Sequence, residues 1–166
     1  MKIVDIIMDA VHVNHRGDWV FVHVLTNQGL TGIGELRAGN NYQPQVLAVR
    51  ELQSELKGRD PRQIERIVSD FRSGNRNYIY ALSAIEQALW DILGKSLQVP
   101  VHVLLGGAYR EKIRLYANIN RATIDRTPEG FARNAALAVE QGFDAIKLAP
   151  FDGLPSGIDN IDEARI

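Results

Sequence analysis

The sequence predicts an α+β domain built on a three-stranded antiparallel meander with helices, followed by the opening of a parallel β/α array. Three observations carry this. β-branched alternation dominates up to Glu35, apolar residues recur at helical spacing from Val46 to Leu97, and a strand–helix–strand pattern follows residue 111.

Residues 2–13 and 19–26 read as strands. In the second, Val20, Val22 and Val24 share one side while Trp19, Phe21, His23 and Leu25 share the other. Asn14-His15-Arg16-Gly17-Asp18 reads as the hairpin loop between them. A second turn at Asn27-Gln28-Gly29 leads into Leu30–Glu35, where Gly32 and Gly34 alternate and predict close backbone approach or a bulge. Val46, Val49, Leu52 and Leu56 then mark a helix that Gly58 is placed to end in a left-handed conformation. Asp60-Pro61 predicts a new helix, with the carboxylate as N-cap, proline at the first position and Ile64, Ile67, Val68 and Phe71 as its buried stripe. The longest pattern runs from Tyr78 to Leu97, with Leu82, Ile85, Leu89, Ile92 and Leu93 on one face and Pro100 as its stop.

After Leu104-Leu105-Gly106-Gly107 the organisation changes. Residues 112–119 read as a strand, 128–141 as a helix capped by Thr127 and ended near Gly142, and 143–149 as a second strand. Such a unit has parallel strands and a right-handed crossover. Parallel sheets are covered on both faces, so two strands call for neighbours outside these 166 residues. The expected organisation is therefore one domain over 1–110 and an incomplete second one over 111–166, with 153–157 a loop and 158–166 the start of another helix.

Composition narrows the function classes. Nineteen Lys and Arg stand interspersed with twenty Asp and Glu for a net charge of −1, which offers no basic stripe for nucleic acid. The absence of cysteine removes disulfides, thiolate nucleophiles and Cys-based zinc sites. No apolar run reaches the roughly 20 residues that span a bilayer, and Asp5 and Asp9 interrupt the first apolar stretch, so a soluble cytoplasmic protein is expected. His12, His15, His23 and His102 lack metal-ligand spacing, and Gly32-x-Gly34 lacks a third glycine because Arg37 stands there, which argues against a dinucleotide site.

The segment Ala81-Leu82-Ser83-Ala84-Ile85-Glu86-Gln87-Ala88-Leu89-Trp90-Asp91-Ile92-Leu93-Gly94-Lys95, then Val99-Pro100 and Leu104-Leu105-Gly106-Gly107, resembles the signature of the mandelate racemase/muconate-lactonizing group of the enolase superfamily. Gly32-x-Gly34-Glu35 and Leu56-x-Gly58-x-Asp60-Pro61 agree with it in position. The resemblance implies an amino-terminal capping domain over 1–110 and the first two strands of a TIM-type barrel over 111–166, truncated there. It further implies magnesium-dependent abstraction of the proton next to a carboxylate. The family's three carboxylate ligands sit on the third to fifth barrel strands, so the resemblance assigns no metal ligand to this chain and places the Mg2+ site downstream of it.

The family often carries Lys-x-Lys at the end of the second barrel strand. Here that stretch is Lys147-Leu148-Ala149. Lys147 is thus the expected catalytic residue, and Ala149 in place of the second lysine points to a sugar-acid dehydratase whose base lies elsewhere. A racemase or cycloisomerase of the same group is the alternative within the family, and a non-catalytic association module is the alternative outside it. Expected substrate-binding residues are His15 and Arg16, in the position of a family loop that closes over substrate, and Asn118, at the carboxyl end of the first barrel strand. Arg37–Tyr42 falls where a second such loop would. The expected partners are a small carboxylic acid, most simply a sugar acid, and further copies in a homo-oligomer, with the 166-residue chain alone inactive. The bland readings are a structural salt bridge for Lys147, a solvated turn for His15 and Arg16, and buried capping or packing polar contacts between domain and barrel for Glu86 and Asp91, which lie on different faces of their helix.

Overall fold

Two long strands, β1 (Ile3–Asn14) and β2 (Gly17–Thr26), pair antiparallel, and β3 (Thr31–Leu36) adds to the other side of β2. This is a computed structural model, which describes residues 1–14, 17–37, 41–72 and 74–149. The alternation in β2 has the expected effect: Val20, Val22 and Val24 are buried, while Trp19 on the opposite side is 56% exposed. The hairpin is tighter than the sequence suggests. Asn14 pairs with Gly17 and His12 with Asp18, so only two residues connect the strands where a five-residue loop was expected. The ladder extends because pairing gives these backbone groups partners, and Gly17, at φ +122°, takes the turn that other residues resist.

Helices α1 (Gln43–Leu56), α2 (Ile64–Asp70) and α3 (Arg76–Leu97) supply the rest of the core. Val49, Leu52, Leu56, Ile67, Ile85, Leu89 and Ile92 join Ile3, Ile6 and the β2 valines in one cluster, with Leu93 half-buried beside it. Gly58 does adopt a positive φ, +84°, but its N–H does not return to α1. It donates to Ile3 O (2.8 Å), and Ile3 N–H donates to Arg59 O (2.9 Å), which fastens the start of β1 to the chain after α1.

The Asp60 expectation needs correction. The helix starts at Ile64, not Pro61, because the Asp60 carboxylate closes a turn instead: Oδ1 accepts from the N–H of Arg62 and from its Nε, both at 3.0 Å. Those bonds hold Asp60 down at about pKa 2. α3 is better capped. Asn75 Oδ1 accepts from the N–H of Asn77 and Tyr78, and the far end closes with Gln98 at φ +58° and Val99 N–H donating to Gly94 O. The helix thus stops before Pro100, which instead leads the short α4 (Val101–Leu104).

α3 meets β3 unusually closely. A Cβ at Gly32 would lie 2.0 Å from Ala88 O, and one at Gly34 1.9 Å from Ala84 O. The alternating glycines therefore mean close approach and not a bulge, and the β2–β3 register is uninterrupted. At this distance side chains of α3 reach the outer edge of β3. Gln87 Oε1 accepts from Glu35 N–H (3.1 Å), Asp91 Oδ2 accepts from Ile33 N–H (2.9 Å), and Lys95 Nζ donates to Thr31 O (2.7 Å). Lys95 also pairs with Asp91 at 2.7 Å. Residues four apart on one helix face thus stand in for a fourth strand. Asp91 thus acts as a capping polar contact inside this unit.

The chain divides into two compact units, Met1–Tyr109 and Arg110–Ile166. In the second, β4 (Ala117–Asn118) pairs parallel with β5 (Ile146–Lys147) across α5 (Ile119–Ala122) and α6 (Pro128–Glu140). The βαβ order is as expected, but the strands have two residues each where 112–119 and 143–149 were expected. Ladder pairing requires a neighbour for each N–H and C=O, and Ile113 and Leu115 stand exposed on the approach to β4. Ile119, Phe131 and Ala138 form this unit's small core. Thr127 Oγ1 caps α6 by accepting from Gly130 N–H (3.1 Å), and Gly142 has φ +89°, both as expected. Among the described residues no helix is long and apolar enough to cross a membrane.

Candidate functional site

Parallel strands present their carboxyl ends together, and ligands of α/β proteins gather there. In the second unit those ends are Asn118 and Lys147, which are register partners. Two of the four expected site residues therefore stand side by side. Lys147 is exposed, and its Nζ lies 5.9 Å from the centroid of the Tyr116 ring. Among the described residues no carboxylate pairs with it. A carboxylate is instead paired at the opposite ends of these strands. Arg114 Nε donates to both Asp144 oxygens (3.0 and 3.1 Å), which holds the Asp144 carboxyl below the usual range.

Beyond the Asn118–Lys147 pair the ladder gives way to side chains. Asn120 Oδ1 accepts from Ala149 N–H (3.2 Å), and Arg126 donates through Nη2 to Ala149 O (2.6 Å) and Asn120 Oδ1 (3.0 Å) and through Nη1 to Asn120 O (3.2 Å). Arg126, which sits 23 positions from Ala149 in a segment with no recognisable pattern, is not legible from the sequence.

His15 and Arg16 lie outside the described residues, as do 38–40 of the second candidate loop. Residues that flank these segments in sequence form a network. Asp18 Oδ1 is 2.9 Å from His12 Nδ1, and Tyr42 Oη donates to Asp18 Oδ2 (2.9 Å). The hydrogen bonds from His12 and Tyr42 hold the Asp18 carboxyl below its usual range, and the bond to Asp18 raises the Tyr42 phenol. His23 Nε2 lies 3.0 Å from Asp9 Oδ2, near enough to pair when protonated but without hydrogen-bond alignment. A groove at the carboxyl end of α3, lined by Asp91, Gly94, Lys95 and Pro100 among others, offers no charged group not already holding β3. Among the described residues no three His, Cys, Asp or Glu are grouped to hold a metal.

An α+β unit of meander and helices, followed by a unit whose parallel strands turn their carboxyl ends out together, is the layout of the enolase superfamily. Residues 3–106 match the mandelate racemase / muconate lactonizing enzyme, N-terminal domain, and the chain belongs to that family. It is 36% identical over 138 residues to a D-gluconate dehydratase from Thermoproteus tenax, covering 80% of this chain and 28% of that protein. It is 38% identical over 135 residues to a D-galactonate dehydratase from Pectobacterium atrosepticum, covering 78% and 34%. Among solved structures it resembles a member of the enolase superfamily from Salmonella Typhimurium, with a TM-score of 0.79 and 31% identity over 89% of this chain and 42% of that one. The chain spans about a third of the length of these curated relatives.

Proposed function

We propose that the protein acts as a sugar-acid dehydratase, with Lys147 and Asn118 meeting the substrate. The observation that carries this is the pairing of Asn118 with Lys147 at the carboxyl ends of two parallel strands, followed by Ala149 where a second lysine would offer a base. Named relatives dehydrate gluconate and galactonate, which supports a polyhydroxy acid as the substrate class. The reaction removes the proton on the carbon beside the carboxylate and expels the hydroxyl from the next carbon as water. The enol left behind tautomerises to a 2-keto-3-deoxy acid. In this scheme the Lys147 ammonium faces the substrate carboxylate and offsets the charge that gathers on it during proton loss, while the Asn118 amide hydrogen-bonds a hydroxyl or carboxylate oxygen. His15 and Arg16 are kept in the proposal as further substrate contacts.

Magnesium is the family's Lewis acid for the enediolate, but the described residues do not form its site, so the roles above concern this chain's side chains alone. The Mg2+ requirement is part of the proposal, as is a homo-oligomer, for which the exposed outer sheet face with Ile7, Val11, Trp19 and Ile33 offers a surface.

The test is to assay the natural protein with D-gluconate and D-galactonate in D2O, with magnesium and with EDTA. Formation of a 2-keto-3-deoxy acid that EDTA abolishes and Lys147→Met lowers by about a hundredfold or more is expected. Exchange of the α-proton without loss of water would replace the dehydratase reading with a racemase. Full activity of Lys147→Met would remove that residue from the site.

A further inference from the structure

We propose that Arg126 is a positioning residue for Lys147, acting through Asn120 and Ala149; this rests on the role given to Lys147 above. The backbone ladder between β4 and β5 ends at Asn118 and Lys147. Two residues later both polar groups of Ala149 are held by side chains, its N–H by Asn120 Oδ1 (3.2 Å) and its carbonyl by Arg126 Nη2 (2.6 Å). Arg126 also grips Asn120 twice, at its backbone carbonyl and its Oδ1. The guanidinium rests over the Phe131 ring, 5.1 Å from its centroid, and Phe131 is buried in the unit's core. A chain of contacts thus runs from α6 through Arg126 to the strand end that bears Lys147.

Arginine suits this work. Its planar fork bonds two carbonyls and an amide oxygen at once, it is charged at every working pH, and its flat face lies on an aromatic ring, none of which a lysine reproduces. The clamp holds Leu148 and Ala149 where, among the described residues, no further strand residue pairs with them, and the Cα of Lys147 is held between clamp and ladder. Its ammonium then meets the Tyr116 ring at 5.9 Å from a fixed backbone. Misplacement of a reacting group by about 1 Å can cost a hundredfold in rate, so a residue that never touches substrate can govern turnover from here.

The experiment has two readouts. In the 166-residue chain, NMR follows the amide exchange of Ala149 and the ring-current shift that Tyr116 imposes on the Lys147 ε-methylene. Arg126→Met is expected to speed Ala149 exchange at least about tenfold and to erase the Lys147 shift, with the Thr127 cap and α6 signals in place. Asn120→Ala, which removes the same clamp and leaves Arg126 on Phe131, should do likewise, while Arg126→Lys should recover little of either signal. In the natural protein Arg126→Met should lower kcat about ten- to a hundredfold with KM changed less. Unchanged Ala149 exchange and an unchanged Lys147 shift in both clamp variants would overturn the proposal. If Lys147→Met keeps full turnover, the catalytic reading fails while NMR still decides the clamp. If Lys147→Met is inactive and Arg126→Met keeps full kcat, the positioning role alone fails.

Discussion

Replacing Gly34 by alanine tests whether the α3–β3 joint rests on two missing side chains. The new methyl carbon would stand 1.9 Å from Ala84 O and 2.9 Å from Ala84 C. A carbon–oxygen contact is comfortable only from about 3.3 Å, so β3 and α3 must separate by roughly 1.4 Å. The obstacle is backbone on both sides, and no rotamer change relieves it. A gap of that size forfeits half or more of each dispersion contact along the seam, where Ala84, Ile85, Ala88 and Leu89 are fully buried. It also stretches the bonds from Gln87 and Asp91 to β3. Overpacking of 1–3 kcal/mol, added to the partial loss of a buried helix face, gives a cost of about 3–5 kcal/mol. Urea denaturation followed by far-UV circular dichroism measures it, and a fall in Tm of at least about 12 °C should accompany it. Two controls sharpen the result. Gly29→Ala, at φ +77° with no atom within 4 Å of the new methyl, should cost only about 1–2 kcal/mol from backbone strain. Ala84→Gly added to Gly34→Ala should not rescue, because the opposing oxygen belongs to the main chain. A cost for Gly34→Ala below about 1 kcal/mol, or rescue by Ala84→Gly, would refute the reasoning.

Two further outcomes are expected. Asp91→Ala leaves Ile33 N–H and Lys95 without their carboxylate, and should destabilise by about 1–3 kcal/mol and promote self-association through the bared edge of β3, measured by sedimentation velocity; a monodisperse variant of undiminished stability would contradict the edge-capping role. The Asp18–Tyr42 bond should make stability depend on pH in both directions. The lowered Asp18 carboxyl contributes stability that is complete above its ordinary value of 3.8 and is lost as pH falls through the lowered one, and the raised Tyr42 phenol contributes stability that is complete below 10.0 and is lost as pH rises through the raised one. Tyr42→Phe should therefore shrink both the acid loss and the alkaline loss, to which the raised Tyr78 phenol also contributes, with urea midpoints at about pH 3, 7 and 11 as the readout. Asp60, held at about 2 by Arg62, should keep its own acid dependence in the variant, so identical profiles with and without the Tyr42 hydroxyl would disprove the link.

Features decided by neighbours in sequence were the legible ones. The valines of β2, the glycine at 58, the Thr127 cap and Gly142 each follow from residues a few positions away, and each took its expected form. What failed depended on competition or on distant partners. Asp60 had two uses for its carboxylate, and Arg62, two residues on, drew it into a turn before a helix could use it. The strand at 112–119 shrank to Ala117–Asn118 because alternation gives a segment strand character but pairing needs a partner opposite. At the candidate site, Lys147 was readable from its strand and from the family likeness, and Asn118 from the rule that parallel strands converge at their carboxyl ends. Arg126 was not, since only the fold brings position 126 to position 149. Asp91 was readable as a polar contact of its helix, but not its partner, an edge strand 58 positions earlier.

The borrowed edge of β3 has a cost in time. A hairpin can close as soon as its two strands exist, but among the described residues β3 finds its outer hydrogen-bond partners on α3, at Gln87, Asp91 and Lys95. On a ribosome adding about 5–20 residues per second, the roughly 60 residues from the end of β3 to the end of α3 take on the order of 3–12 s. Throughout that interval the nascent meander carries a paired sheet with an open margin. Handling by chaperones, and any tendency of truncated or slowed products to pair with one another, should concentrate in this window and end when the helix docks.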